Sequence, residues 1–147
     1  MLHLHCVVPH CRSLAVMIAV SLLGLAGCGG PKLYPVKGKV VWENGAAARE
    51  LAGGSVVCES EDGKVAARGE ILADGSFELS TYKPGDGALR GKHRVAIAEY
   101  SPREPTPPPI SDPMFSKVET SGLEINVEPT TNEVILKIRK ASARPRR

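Results

Sequence analysis

What most restricts this chain is an alternation of apolar and polar residues with period two, interrupted at short intervals by Asn-Gly and Asp-Gly pairs. Val36, Gly38, Val40 and Trp42 alternate with Lys37, Lys39, Val41 and Glu43. Successive side chains on a strand point to opposite faces, so this pattern predicts a strand with one buried and one wet face. Similar segments follow at 55–59, at 65–72 and at 76–80, where Phe77 and Leu79 share a face. At 91–100, His93, Val95 and Ile97 share one face. Leu123, Ile125 and Val127 alternate with Glu124, Asn126 and Glu128, and Val134, Leu136 and Ile138 with Ile135, Lys137 and Arg139. Asn44-Gly45, Asp62-Gly63 and Asp74-Gly75 supply turns whose glycine can take a positive φ. Pro84-Gly85-Asp86-Gly87 reads as a loop. Only 46–51 could pass for a helical turn, and Gly53-Gly54 behind it argues for a loop.

Seven strand segments in a chain of 147 residues, with 15 Gly, 12 Pro and six aromatics, predict an all-β domain. Two half-wet sheets bury their apolar faces against each other, and seven strands in ~100 residues is the size of a β-sandwich. The expected fold is an antiparallel Greek-key sandwich of about seven strands; a five- or six-stranded barrel also fits the pattern. The stretch 101–115 breaks the alternation. Six of its residues are proline (Pro102, Pro105, Pro107, Pro108, Pro109 and Pro113), which favours polyproline II. It reads as a stiff crossover from one sheet to the other, or as a docking segment for an aromatic groove.

The N-terminus follows a different pattern. Residues 14–26 are apolar or small apart from Ser21, and Arg12 precedes them. An apolar core of 13 residues behind a positive charge reads as a secretory signal. It is too short to span a hydrocarbon core of ~30 Å. The segment ends in Leu25-Ala26-Gly27-Cys28, which resembles the lipobox of bacterial lipoproteins. The resemblance implies a signal peptide over 1–27, recognised by signal peptidase through Leu25, Ala26 and Gly27. It also implies acylation (diacylglyceryl, with palmitate-type chains) on Cys28, the first mature residue. Gly29 follows Cys28 in place of the Asp that retains some lipoproteins in the inner membrane. That implies a cell-envelope, lipid-anchored protein on the outer membrane, facing periplasm or surface. Two or three acyl chains suffice for stable anchoring at about 0.8 kcal/mol per buried CH₂. The lipidated N-terminus and tether cover 28–33, and the five residues 29–33 reach at most roughly 17 Å.

Under this reading Cys6 and Cys11 leave with the signal and Cys28 carries lipid. Cys58 is then the remaining cysteine, so the mature form has no intrachain disulfide. Val56-Val57-Cys58 makes it a small buried hydrophobe.

The strand motifs carry a second resemblance. Val36-x-Gly38-x-Val40, Gly54-Ser55-Val56-Val57, Asp74-Gly75-Ser76-Phe77-x-Leu79, Gly91-Lys92-His93-Arg94-Val95 and the late Thr120-Ser121-Gly122-Leu123 occur in that order. Together they resemble the carboxypeptidase regulatory-like, transthyretin-like β-sandwich over 34–139. The sequence departs from that family's pattern at His93, where Tyr is common, and at Cys58, where Phe is frequent. The resemblance implies a non-catalytic folding, docking or surface-binding module and brings no catalytic residue with it.

Charge is distributed unevenly. From Lys137 to Arg147 there are six basic residues (Lys137, Arg139, Lys140, Arg144, Arg146 and Arg147) and no acid. Residues 28–136 hold 12 basic and 16 acidic residues. An acidic body with a basic tail at 140–147 argues against nucleic-acid binding. The tail suits an anionic surface such as phospholipid head groups, at about 1 kcal/mol per Lys or Arg.

The mature chain has a single histidine, His93, so Cys/His zinc sets do not form, and G-x-S-x-G, P-loop and dinucleotide motifs are absent. Asp74-Gly75-Ser76 and Asp86-Gly87 lack the spaced oxygen ligands of a calcium loop. Glu59, Glu61, Asp62, Glu70 and Glu78 are too scattered for a hydrolytic pair. No cofactor, metal or catalytic residue is therefore expected. The expected function is a non-enzymatic envelope module that binds a protein or envelope polymer. The alternative is a small-ligand or carbohydrate binder using loops at one pole of the sandwich, with Trp42, Tyr82 or Tyr100. An enzyme would need His93 open to solvent beside an acid and a serine.

Overall fold

The computed structural model describes residues 30–102 and 107–142. Residues from Pro31 onward form a unit of their own. One sheet contains β2 (Val36–Trp42), β5 (Ser76–Glu78) and β9 (Asn132–Ile138), in the order β5-β2-β9. A second contains β3 (Ser55–Ser60), β4 (Ala66–Glu70), β7 (Gly91–Ala98) and β8 (Leu123–Val127), in the order β4-β3-β7-β8. A small ribbon pairs β1 (Leu33–Tyr34) with β6 (Ala88–Leu89). The fold is a β-sandwich.

The alternation places the core as the sequence predicts. Val36, Val40 and Trp42 of β2, Phe77, and Leu136 and Ile138 of β9 pack on Val56 and Cys58 of β3, Val95 and Ile97 of β7, and Ile125 and Val127 of β8. Gly38 is small because Phe77 and Val134 close over it: a Cβ there would lie 2.6 Å from Phe77 Cζ and 2.5 Å from the Val134 carbonyl oxygen. Gly45, Gly63 and Gly75 take positive φ (83°, 68° and 82°) in the three expected turns.

The β4–β5 hairpin crosses from one sheet to the other and closes one side of the sandwich. Arg68 and Ser80 exchange two backbone hydrogen bonds there, 2.8 and 2.9 Å. On the opposite side β8 and β9 are joined by 128–131. Asn132 holds this turn, its Nδ2 donating to the Thr130 (2.7 Å), Glu128 (3.1 Å) and Pro35 (3.2 Å) carbonyls while its Oδ1 accepts from the Glu128 N–H (2.8 Å).

The structure corrects four expectations. Among the described residues the strand count is nine, because the short β1–β6 ribbon adds two strands to the seven expected segments. The sandwich is not wholly antiparallel: β2 and β9 run parallel, in register from Val36 with Asn132 to Trp42 with Ile138. The period-two signal carries no information on strand direction, and strands so distant in sequence need no tight turn between them. The segment 46–51 contains a 3-10 turn, Arg49–Leu51. Finally, the proline-rich crossover does not change sheets. It leaves β7 and returns to β8, its direct neighbour. On the way it lays Ile110–Asp112 along the end of β9, through Asp112 N–H to the Arg139 carbonyl (3.0 Å) and Ala141 N–H to the Ile110 carbonyl (2.9 Å).

Candidate functional site

The parallel β2–β9 pair sets the polarity of the domain. The chain enters through β1 beside the start of β2 and leaves past Ile138, which stands opposite Trp42 at the far end of β2. The N-terminal pole carries the β1–β6 ribbon and the loops 61–65, 81–87 and 128–131. The distal pole carries 43–54, 71–75, 99–100 and 110–122, with Arg139 and Lys140.

Three carboxylates organise the distal pole. Glu50 accepts from Trp42 Nε1 (3.0 Å) and Lys140 Nζ (2.8 Å), and that ammonium sits 4.9 Å from the Trp42 ring centroid. The Lys140 hydrogen bond, then the Glu50 N–H and the Trp42 indole, hold the Glu50 carboxyl down at about 2. Glu99 clamps the proline-rich crossover: Oε2 accepts from Ile110 N–H (2.9 Å), and Oε1 from the Ser111 N–H (2.7 Å) and hydroxyl (2.5 Å). Asp112 accepts from Met114 N–H (3.0 Å) and Arg139 Nε (2.8 Å), and these two bonds lower its pKa. The Arg139 guanidinium also lies 6.0 Å from the Phe115 ring. Phe115 joins the core beneath a 3-10 turn, Pro113–Ser116. Between these clamps Tyr100 is 65% exposed, its ring against Gly53, and Ile110 is 40% exposed.

At the N-terminal pole, burial opposes ionisation of Asp86, but the N–H groups of Thr81, Tyr82 and Lys83 at 2.7, 3.0 and 2.8 Å outweigh it and lower its pKa. This fixed loop displays Tyr82, 63% exposed. A shallow groove of about 310 Å³ lies along β4 and β5, lined in part by Arg68, Leu72, Glu78 and Pro84.

The aromatics predicted as ligand contacts are thus divided. Trp42 is buried in the core, Tyr100 is exposed at the distal pole, and Tyr82 is exposed at the other. His93 lies within the core at 1% exposure. Its Nε2 is 2.8 Å from the Leu89 carbonyl, which only accepts, so Nε2 carries the proton. Its Nδ1 has no partner among the described residues. Buried this way, His93 is not open to solvent and holds the β6–β7 bend. Cys58 is fully buried, and desolvation pushes its thiol up to about 12, which disfavours the reactive thiolate. Asp74 works as a turn residue, accepting from the Ser76 hydroxyl (2.6 Å) and N–H (2.9 Å). Glu59 and Glu78 form outer-face ion pairs with Arg94 (3.5 Å) and Lys37 (3.4 Å). Among the described residues no three His, Cys, Asp or Glu side chains gather as metal ligands.

Leu25, Ala26, Gly27 and Cys28, with the signal segment 1–27, lie outside the described residues, as do Pro105 and the tail residues Arg144, Arg146 and Arg147. Sequence reasoning missed Glu50, Glu99 and Asp112. Glu50 and Lys140 are 90 positions apart, and no local pattern links them. Glu99 and Ser111 flank the prolines, and only the proline content was visible.

No protein-family model and no curated protein matches the sequence. Among solved structures the chain is similar to the crystal structure of a DUF3823 family protein from Parabacteroides merdae, at 14% identity and a TM-score of 0.43. The match covers 75% of this chain and 47% of that chain, so this chain spans about half of the other's length.

Proposed function

We propose that the protein is a lipid-anchored envelope lipoprotein, and that its β-sandwich is a non-catalytic module presenting the distal pole to a partner protein or envelope polymer. The observation that carries this reading is the opposition of the two poles. Cys28, in the lipobox-like Leu25-Ala26-Gly27-Cys28, is separated from β1 by only four residues, so the chain from it to Leu33 reaches at most about 17 Å. An anchor there holds the N-terminal pole near the lipid and turns the distal pole outward. At that outward pole the proline-rich crossover is clamped at Ile110 and Ser111, beside exposed Tyr100. A fixed, proline-containing surface loses little conformational entropy on binding. The basic tail continues from the same pole past Arg139 and Lys140, so in this reading the anionic surface it meets belongs to the partner.

The test is fractionation and in-cell cross-linking. The wild-type chain is expected in the membrane fraction, with one recurrent species cross-linked through the distal pole. Cys28→Ser is expected unprocessed or soluble. Membrane retention of an unlipidated Cys28→Ser chain would show the anchor assignment to be wrong.

A second reading is favoured by Tyr82, exposed on a rigid loop beside the β4–β5 groove. This is the arrangement of an aromatic platform for a carbohydrate. A retained glycan lost on Tyr82→Ala, with no recurrent protein partner, would select it.

A further inference from the structure

The edge of β9 offers an interaction surface with a definite partner. The Asn132 N–H bonds to the Pro35 carbonyl (2.9 Å), so by alternation the N–H and C=O groups of the even-numbered residues face β2. Those of Glu133, Ile135 and Lys137 face the other way. The outward groups further along are occupied, Arg139 and Ala141 by Asp112 and Ile110. Among the described residues, the groups of Glu133, Ile135 and Lys137 have no partner. An unpaired edge of this kind is a template for another strand. Its side chains include Ile135, which is 74% exposed on the outer face.

The occupant follows from the order of charges. In Glu133-Val134-Ile135-Leu136-Lys137 the apolar and charged positions are placed symmetrically about Ile135, with opposite charges at the two ends. We propose that β9 pairs antiparallel with β9 of a second copy of this chain, about a two-fold axis at Ile135. That register sets Ile135 opposite Ile135, and Glu133 opposite Lys137 at both ends. Each is a hydrogen-bonded pair, so the outward backbone groups of all three residues are satisfied. Opposite charges and apolar pairs directly across an antiparallel ladder are both favourable. In-register parallel pairing would instead set Glu133 against Glu133 and Lys137 against Lys137. The contact is self-complementary, as a two-fold interface requires, and joins two three-stranded sheets into one. It ends at Arg139, where the crossover already holds the edge. A single strand edge is a small interface, so the association is weak in dilute solution and favoured where copies are concentrated on a surface. The inference does not depend on how the chain is anchored.

The test uses the full-length chain in intact cells under mild oxidation, whether it partitions to membrane or not. Residues in a hydrogen-bonded antiparallel pair have Cα atoms ~5.5 Å apart, within disulfide reach. Ile135→Cys is expected to give a disulfide-linked homodimer, and Lys39→Cys, one strand inward, is not. In the Ile135→Cys background, Glu133→Lys or Lys137→Glu alone should cut the dimer yield several-fold, since each sets like charges opposite. The double exchange Glu133→Lys/Lys137→Glu should restore it. Both side chains are exposed and in no ion pair among the described residues, so these variants keep the fold, which circular dichroism checks. A monomeric Ile135→Cys chain, linkage to a different protein, or no rescue by the double exchange would each overturn the proposal.

Discussion

Gly38 occupies an inward position of β2 that any small apolar residue would suit by pattern alone. The packing around it is stricter. A methyl group there would meet the Val134 carbonyl at 2.5 Å, the Phe77 ring at 2.6 Å and Val134 Cγ2 at 2.6 Å. The carbonyl cannot yield without disturbing the β2–β9 ladder. Gly38→Ala is therefore expected to destabilise the domain by about 3 kcal/mol or more, at the upper end of overpacking costs, as read by urea denaturation. Glu50 gives a prediction of a different kind. Its carboxyl is held at about 2, against 4.5 ordinarily, so the unfolded chain takes up this proton first as pH falls. Its contribution is complete above pH ~4.5 and is lost between there and pH ~2. The side chain is 46% exposed, which limits the contribution to about 1 kcal/mol. Glu50→Gln should lower stability by that amount at neutral pH. The two stability curves should converge as acid approaches pH 2, and a constant offset across that range would refute the assignment.

At the scale of elements, what the sequence reveals depends on whether the signal is local. All seven segments are legible, and for β2, β5, β7, β8 and β9 so are the inward faces, because side-chain alternation is a property of each segment. Phe77 on its predicted face is the direct case, and Phe77→Ala should cost about 3–5 kcal/mol as a core truncation. The direction of pairing was not readable. Nothing within 36–42 or 132–138 records that the two segments run parallel, because backbone hydrogen bonding is indifferent to side-chain identity. Residues 88–89 went unrecognised as a strand because two residues cannot display a period. The crossover was recognised by its prolines, yet its course was not, since Glu99 and Ser111 set that course through a tertiary contact. Glu99→Ala removes every acceptor holding Ile110 and Ser111 N–H by side chain. We expect faster proteolytic nicking between 100 and 112 with little change in global unfolding, because neither Ile110 nor Ser111 belongs to the core cluster. Unchanged nicking would mean that the Asp112–Arg139 and Ala141–Ile110 contacts suffice alone.

For the whole molecule, the parallel β2–β9 pair of the three-stranded sheet separates the two ends of the domain. β2 and β9 each run seven residues in the same direction, roughly 23 Å at 3.3 Å per residue, so the incoming and outgoing chains are separated by the length of the sheet. If Cys28 is the anchor, Tyr82 stands near the lipid and Tyr100 stands away from it. Both are exposed, so either can carry a label without disturbing the core. The processed chain suits single-site labelling, because Cys28 would be acylated and Cys58 is buried. With Tyr82→Cys or Tyr100→Cys labelled by the same fluorophore and the lipidated chain in vesicles, a quencher on the lipid head groups should act strongly at Tyr82 and weakly at Tyr100. Quenching falls steeply over distances shorter than the strand length, so the contrast should be large. Equal quenching at the two positions would mean that the domain lies on its side. The outer face of the β5-β2-β9 sheet or of the β4-β3-β7-β8 sheet would then meet the membrane, and the distal pole would lose its claim as the partner-facing surface.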